Sequence, residues 1–312
     1  MRRCITQGLG LLLLASCSVG TGDYKSPSDL EESSFISRTR LLGATGNPPE
    51  VEPGDSATFS RLIADPYAEL DAVVWLACDT TDDLGCSIDF EDLTTGDLTE
   101  EELRERGVIG LEPGFPPQVT IPTDYLDDLE PADRLEGRPL LIQLVAIPNI
   151  ASLSPDNVDF GKLEVGYFDL IVSEATTPNN NPWFTDEWYI DGLPIGGQAV
   201  IEVDSQQEYA LGVRMPPEAI ETYEYVNSNG TIEIRRESPW VAWYTTAGEQ
   251  TEDITLYPYL DADWRAPYCP AFFDAVNQIP ACDGIEGTWY AVVRDRRGGM
   301  AFKQQAFRVR PE

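Results

Sequence analysis

The chain has 312 residues, 42% of them hydrophobic and 10% aromatic, which is enough apolar material for two ordinary cores and excludes global disorder. Asp and Glu total 54 against 21 Lys and Arg, a formal charge of -33 that argues against nucleic acid or anionic lipid as an electrostatic partner. With no His in the chain, Ser-His-Asp and Cys-His nucleophile pairs and HExxH zinc sites are excluded. Catalysis would have to rest on carboxylates, Tyr, Lys or an oxygen-held metal.

The elements begin with Met1-Arg2-Arg3, a short positive stretch, followed by an apolar run from Gly8 to Ala15 that is too short to span a bilayer. Residues 1–16 therefore read as a signal peptide. Leu14-Ala15-Ser16-Cys17 resembles the lipobox of bacterial lipoproteins, which implies diacylation of Cys17 as the new N-terminus. Ser18 after it implies, within that resemblance, the outer membrane or cell surface, and lipid would hold the protein there without a transmembrane helix. Residues 17–37 read as a tether, whose polar, breaker-rich stretch 18–35 has a random-coil reach of about 23 Å.

From residue 38 the pattern turns to short apolar runs separated by turn residues. Strands are expected at Arg40–Gly43, at Ala57–Ala64 after the Pro53-Gly54 turn, and at Ala72–Cys78, with Leu140–Ile147 and Val165–Val172 as closing strands. Between them, Thr99 followed by Glu102 has capping-box spacing and predicts a short helix over Leu98–Arg106. Thr176–Pro182 reads as a linker between a first domain, 38–175, and a second, 183–312. The second repeats the sketch, with strands near Ala199–Val203, Tyr209–Val213, Thr231–Arg235 and Pro239–Tyr244, so that Trp75 and Trp243 would hold equivalent places. A closing hairpin runs from Thr288–Arg294 through Arg296-Arg297-Gly298-Gly299 to Phe307 and Val309. The fold class expected is mainly β: two immunoglobulin-like β-sandwich domains with a few short helices in inserted loops.

Four segments carry a resemblance: Pro49-Glu50-Val51-Glu52-Pro53-Gly54, Val74-Trp75-Leu76-Ala77-Cys78, Trp240-Val241-Ala242-Trp243-Tyr244 and Val292-Val293-Arg294-Asp295-Arg296-Arg297-Gly298-Gly299. Together with the lipobox they make the chain resemble Gram-negative surface lipoproteins with tandem immunoglobulin-like domains. The resemblance implies no catalytic residues and no cofactor. The expected function is a membrane-anchored, non-catalytic binding, adhesion or scaffold module with a protein or glycan partner and no nucleic acid.

Once Cys4 leaves with the signal and Cys17 takes lipid, Cys78, Cys86, Cys269 and Cys282 remain, and three pairings are possible. Sequence proximity in an oxidising compartment favours Cys78 with Cys86 and Cys269 with Cys282, while the absence of CxxC spacing and His disfavours zinc. Calcium has three acidic clusters to consider: Asp79, Asp82 and Asp83; Asp124, Asp127 and Asp128; and Asp261 with Asp263. None has EF-hand spacing, so solvated faces compete with sites and no metal is assigned. Trp183, Trp188, Tyr189, Trp264 and Tyr268 could form a glycan platform, or fill a core. A carboxylate-based hydrolase is the remaining alternative. Arg294, Arg296 and Arg297 at the hairpin tip are the candidate partner contact, a positive island expected to stand in solvent.

Overall fold

The structure is a computed structural model and describes residues 34–78, 99–148, 163–226 and 231–312. The signal peptide, Cys17, most of the tether, Cys86 and the cluster of Asp79, Asp82 and Asp83 lie outside them. Among the described residues no helix is long and apolar enough to cross a membrane.

The first half contains β1 (Arg40–Asn47), β2 (Glu50–Val51), β3 (Ser56–Ala64), β4 (Leu70–Cys78), α1 (Glu100–Glu105), β5 (Val108–Glu112), β6 (Gln118–Thr120), α2 (Pro131–Glu136), β7 (Arg138–Pro148) and β8 (Glu164–Val172). Its sheets run β1-β3-β6 and β2-β8-β7-β4-β5. The second half contains β9 (Trp188–Ile190), β10 (Leu193–Ile195), β11 (Val200–Asp204), β12 (Glu208–Gly212), β13 (Thr222–Val226), β14 (Ile232–Arg236), β15 (Trp240–Thr245), β16 (Glu249–Gln250), β17 (Ile254–Leu256), β18 (Asp261–Arg265), β19 (Ile285–Arg294) and β20 (Met300–Arg310). Its sheets run β10-β9-β12-β18-β16 and β11-β20-β19-β15-β17, with β13-β14 as a separate ribbon.

The two halves share one plan. In each, a short early strand adds in parallel to the last strand (β2 on β8, β11 on β20), and the penultimate strand pairs with the Trp-bearing one. Both sheet orders are compatible with immunoglobulin-like sandwiches. Trp75 and Trp243 do occupy equivalent central strands, and both are buried. Each indole N–H has a partner: Trp75 donates to Glu112 Oε1 at 2.9 Å and Trp243 to Thr255 Oγ1 at 2.8 Å.

The helix signal at Thr99 is realised as a full capping box on α1. The Thr99 hydroxyl accepts from the Glu102 N–H, and the Glu102 carboxylate accepts from the Thr99 N–H. Leu103 of α1 then covers the outer face of β4, packing with Val74, Leu76, Val108 and Val145. α1 thereby buries the second side of a strand that is apolar on both faces.

A second both-sided run has a different cover. Along β3, Ala57, Phe59 and Ile63 face the first core while Leu62 and Ala64 face out. Along β19, Trp289, Ala291 and Val293 face the second core while Tyr290 and Val292 face out. Leu42, where the β1–β3 register shifts, joins Leu62, Ala64, Tyr290 and Val292 in one apolar seam, and Ile36 packs with them. A Cβ on Gly43 would come 2.7 Å from Met300 Sδ, so any side chain there would make Met300 shift where β1 approaches β20.

Candidate functional site

Where the Thr176–Pro182 segment meets the closing hairpin, polar groups converge that the sequence reading assigned to a spacer and to a solvent-exposed tip. The segment is no simple spacer. Asn179 is 1% exposed, donating its N–H to Glu50 Oε2 at 2.6 Å and its side-chain amide to Asp295 Oδ2 at 3.0 Å. Asn180 donates to Glu221 Oε1 at 2.7 Å. Asn181 donates to the Gly46 carbonyl and accepts from the Thr45 hydroxyl and the Met300 N–H, tying β1 to β20.

The expectation of an exposed arginine island is corrected by the same geometry. Among the three, Arg296 alone is exposed. Arg297 reaches Glu221 and Glu237 at 3.2 Å each and Glu50 at 3.7 Å, and lies 4.4 Å over the Tyr223 ring on the β13–β14 ribbon. Arg294 donates to the Leu42 carbonyl at 3.0 Å and stacks on Trp240. The cause is topological: the β19–β20 turn sits at the end of the second sandwich where the chain arrives from the first, so its tip is packed against β2 and the ribbon.

Asp295, passed over in the sequence as one acid among arginines, is the pivot. It is 2% exposed, and its Oδ1 accepts from the N–H groups of Arg297 and Gly299. A hint stood in the sequence, since Asp ahead of a Gly-Gly turn is suited to capping that turn's amides. Burial pushes the Asp295 carboxyl above its ordinary range, against the pull of Asn179 and the two turn amides. Burial also raises Glu237, aided by the Asp295 and Glu221 charges and opposed by the Glu221 N–H and Arg297. Glu50, Glu221 and Glu237 thus converge on one guanidinium while Asp295 holds the turn that carries it, and each is already held by donors of the chain. None is left facing a cleft as a free acid or base.

The other predicted sites separate. Cys269 and Cys282 form a disulfide with Cα atoms 5.2 Å apart, and Cys78 is disulfide-bonded. Trp188 and Trp264, proposed for a glycan platform, are 2% and 0% exposed and belong to the second core, where Trp264 packs edge-on to Trp289 at 5.0 Å. Trp183 is exposed, and Tyr189 is covered by Arg214 at 4.6 Å. Asp261 and Asp263 alternate outward along β18 while Ala262 and Trp264 turn in, and Asp261 pairs with Arg214. Asp127 and Asp128 pair with Arg134 and Arg138. Among the described residues no three Asp, Glu or Cys side chains are placed to hold a metal ion.

The loop closed by Cys269 and Cys282 adds a feature that the cysteine pairing alone does not disclose. It displays Phe272, Phe273 and Val276 at 84%, 62% and 90% exposure. Asp274 orders its turn, accepting from the Val276 and Asn277 N–H groups and from the Asn277 and Tyr268 side chains.

No family model and no curated protein matches this chain. Among solved structures it is similar to Salmonella alpha-2-macroglobulin, crystallised after reaction with methylamine, at 12% identity and a TM-score of 0.22. The match covers 87% of this chain and 16% of that one, so this chain spans about a sixth of that protein's length.

Proposed function

We propose that the protein is an exported, lipid-anchored contact module of the cell surface: two stiffly joined β-sandwiches, held at the membrane through Cys17, that bind or support a partner without catalysis. The observation that carries the non-catalytic part is the state of the converging carboxylates. Glu50 is held by Ser173 and Asn179, Glu237 by Arg297 and the Glu221 N–H, and Asp295 by Asn179 and its own turn. Glycosidase chemistry needs two carboxylates with a sugar between them, and these have the chain itself between them. The burial of Trp188 and Trp264 takes two of the five rings out of reach of a glycan, which supports a protein partner over a sugar. The anchor rests on the lipobox resemblance and the apolar run before it.

Fractionating cells that carry Cys17→Ser tests the anchor. The variant should leave the membrane fraction and appear soluble; unchanged retention refutes it. Mass spectrometry of the N-terminal peptide gives the independent reading, an acylated Cys17 in the parent.

A further inference from the structure

We propose that the disulfide-closed loop of the second sandwich is a membrane-contact tip, which inserts Phe272, Phe273 and Val276 into the interface of the bilayer that holds the lipid anchor. The inference rests on the anchored reading above and adds a second, protein-borne contact to it. Three observations carry it.

The first is the tip itself. Two aromatic side chains and one aliphatic, all mostly exposed, stand on a loop whose shape is fixed by the Cys269–Cys282 bond and the Asp274 turn. A rigid display avoids the ordering cost that a floppy loop would meet on binding. The second is charge. Across the chain 24% of residues are charged, yet from Ala266 to Cys282 the sole charged side chain is Asp274, which is engaged in ordering the turn. This stretch is therefore exempt from the repulsion that the rest of a chain of charge -33 would feel at a lipid surface.

The third is where the anchor's chain arrives. Phe35 bridges Thr245 of β15, and the Ile36 N–H donates to the Thr245 carbonyl at 2.8 Å, so the N-terminal segment joins the second sandwich. Phe35 to Ser37 line one cleft with Ile285 to Thr288, the start of β19, which follows Cys282 by three residues. The loop base is also tied to the chain's last residue, the Glu312 N–H donating to the Cys269 carbonyl. Residues 18–33 can span at most ~55 Å even fully extended. A lipid on Cys17 is thus tied to a segment that joins the molecule beside the start of β19, where Asp65 to Tyr67 of the first sandwich line the same cleft, and the tip lies within reach of the same bilayer.

The test uses the mature chain, residues 17–312, with Cys17→Ser so that no lipid contributes. It is floated with phosphatidylcholine vesicles beside the same chain carrying Phe272→Ser, Phe273→Ser and Val276→Ser, with circular dichroism confirming equal folding of the two. The parent should co-float, and the triple variant should partition at least tenfold less, as expected for three apolar side chains lost from the contact. Equal partitioning of the two, or flotation of neither, overturns the proposal. So does a dimer in sedimentation that the triple variant abolishes without any vesicle binding, which would make the loop a contact between copies. Failure of the anchor is read separately, by fractionation of Cys17→Ser in cells, and neither result depends on the other.

Discussion

Replacing Arg297 with Met should cost about 4 kcal/mol at pH 7, and the reasoning runs through its partners. The Glu237 side chain is 1% exposed and that of Glu50 9%, so removing the cation strands charge that water cannot reach, typically a loss of about 3–5 kcal/mol. Glu221 is more open and adds only a fraction of a kcal/mol, and the lost stacking on Tyr223 about 0.5–1 kcal/mol, partly restored by Met packing on the same ring. The penalty is one of ionised carboxylates, so it must depend on pH. Removing Arg297 takes away one of the influences that lower Glu237 and Asp295, both already raised by burial. The variant's carboxyls therefore take up protons at a higher pH than the parent's, and its deficit shrinks on mild acidification. Urea unfolding followed by Trp fluorescence at pH 7 and pH 5 measures both quantities. A cost under about 1 kcal/mol at pH 7 would mean the network is solvated after all; a cost independent of pH would mean that Arg297 acts by packing alone. The double variant Arg297→Met, Glu237→Gln should regain part of the loss, because it removes the stranded charge along with its partner.

For the parent, a raised folded-state carboxyl contributes stability that is present below its unfolded pKa and lost as pH rises through the folded one. Glu237 and Asp295 therefore favour mild acid, whereas Asp65, lowered by the Leu70 and Glu69 amides and the Thr39 hydroxyl against its burial, contributes above the ordinary range and fails below it. Thermal melts should then show higher stability in mild acid than at neutrality, falling again once Asp65 is protonated. Gly287→Ala would drive a methyl into the Phe307 ring, which is wedged between Trp264 and Trp289, and should cost about 1–3 kcal/mol in urea unfolding. Reducing Cys269–Cys282, which closes a separation of 13 residues, should cost about 3 kcal/mol on the loop-closure model, and Cys269→Ala with Cys282→Ala should reproduce it under non-reducing conditions.

Period-2 alternation and turn residues made most of the strands legible, because both are local. Thr99 and Glu102 marked α1 for the same reason: a capping box lies within four residues. The short strands β9 and β10 were missed, although Asp191-Gly192 between them takes the positive φ that a tight hairpin turn requires. The joint was illegible for a different reason. Asn179 meets Asp295 across 116 positions and Glu50 meets Ser173 across 123, and no periodicity reports a partner that far away. Asn-rich segments are loops by every local rule, and the three asparagines obey it in backbone while their amides do the work of an interface. Arg297 misled in the same way, since a hairpin tip is exposed unless another part of the chain is packed against it.

One signal of that packing was local and went unused. Trp289-Tyr290-Ala291-Val292-Val293 is apolar at five consecutive positions, and all five are buried. A strand with one solvated face alternates; one that does not must be covered twice. Val73-Val74-Trp75-Leu76 in the first half is the same, and there α1 supplies the second cover through Leu103. Among the described residues of the second half no α-helix lies over β19, and the cover comes from the first sandwich through Leu42, Leu62 and Ala64. The apolar seam and the polar joint therefore act on one interface by different physics. The seam does not depend on the ionisation of these carboxylates, whereas the joint's ion pairs do. Protonating the joint in acid would therefore leave the sandwiches together, because Tyr290 and Val292 would still have to be exposed to water for them to separate.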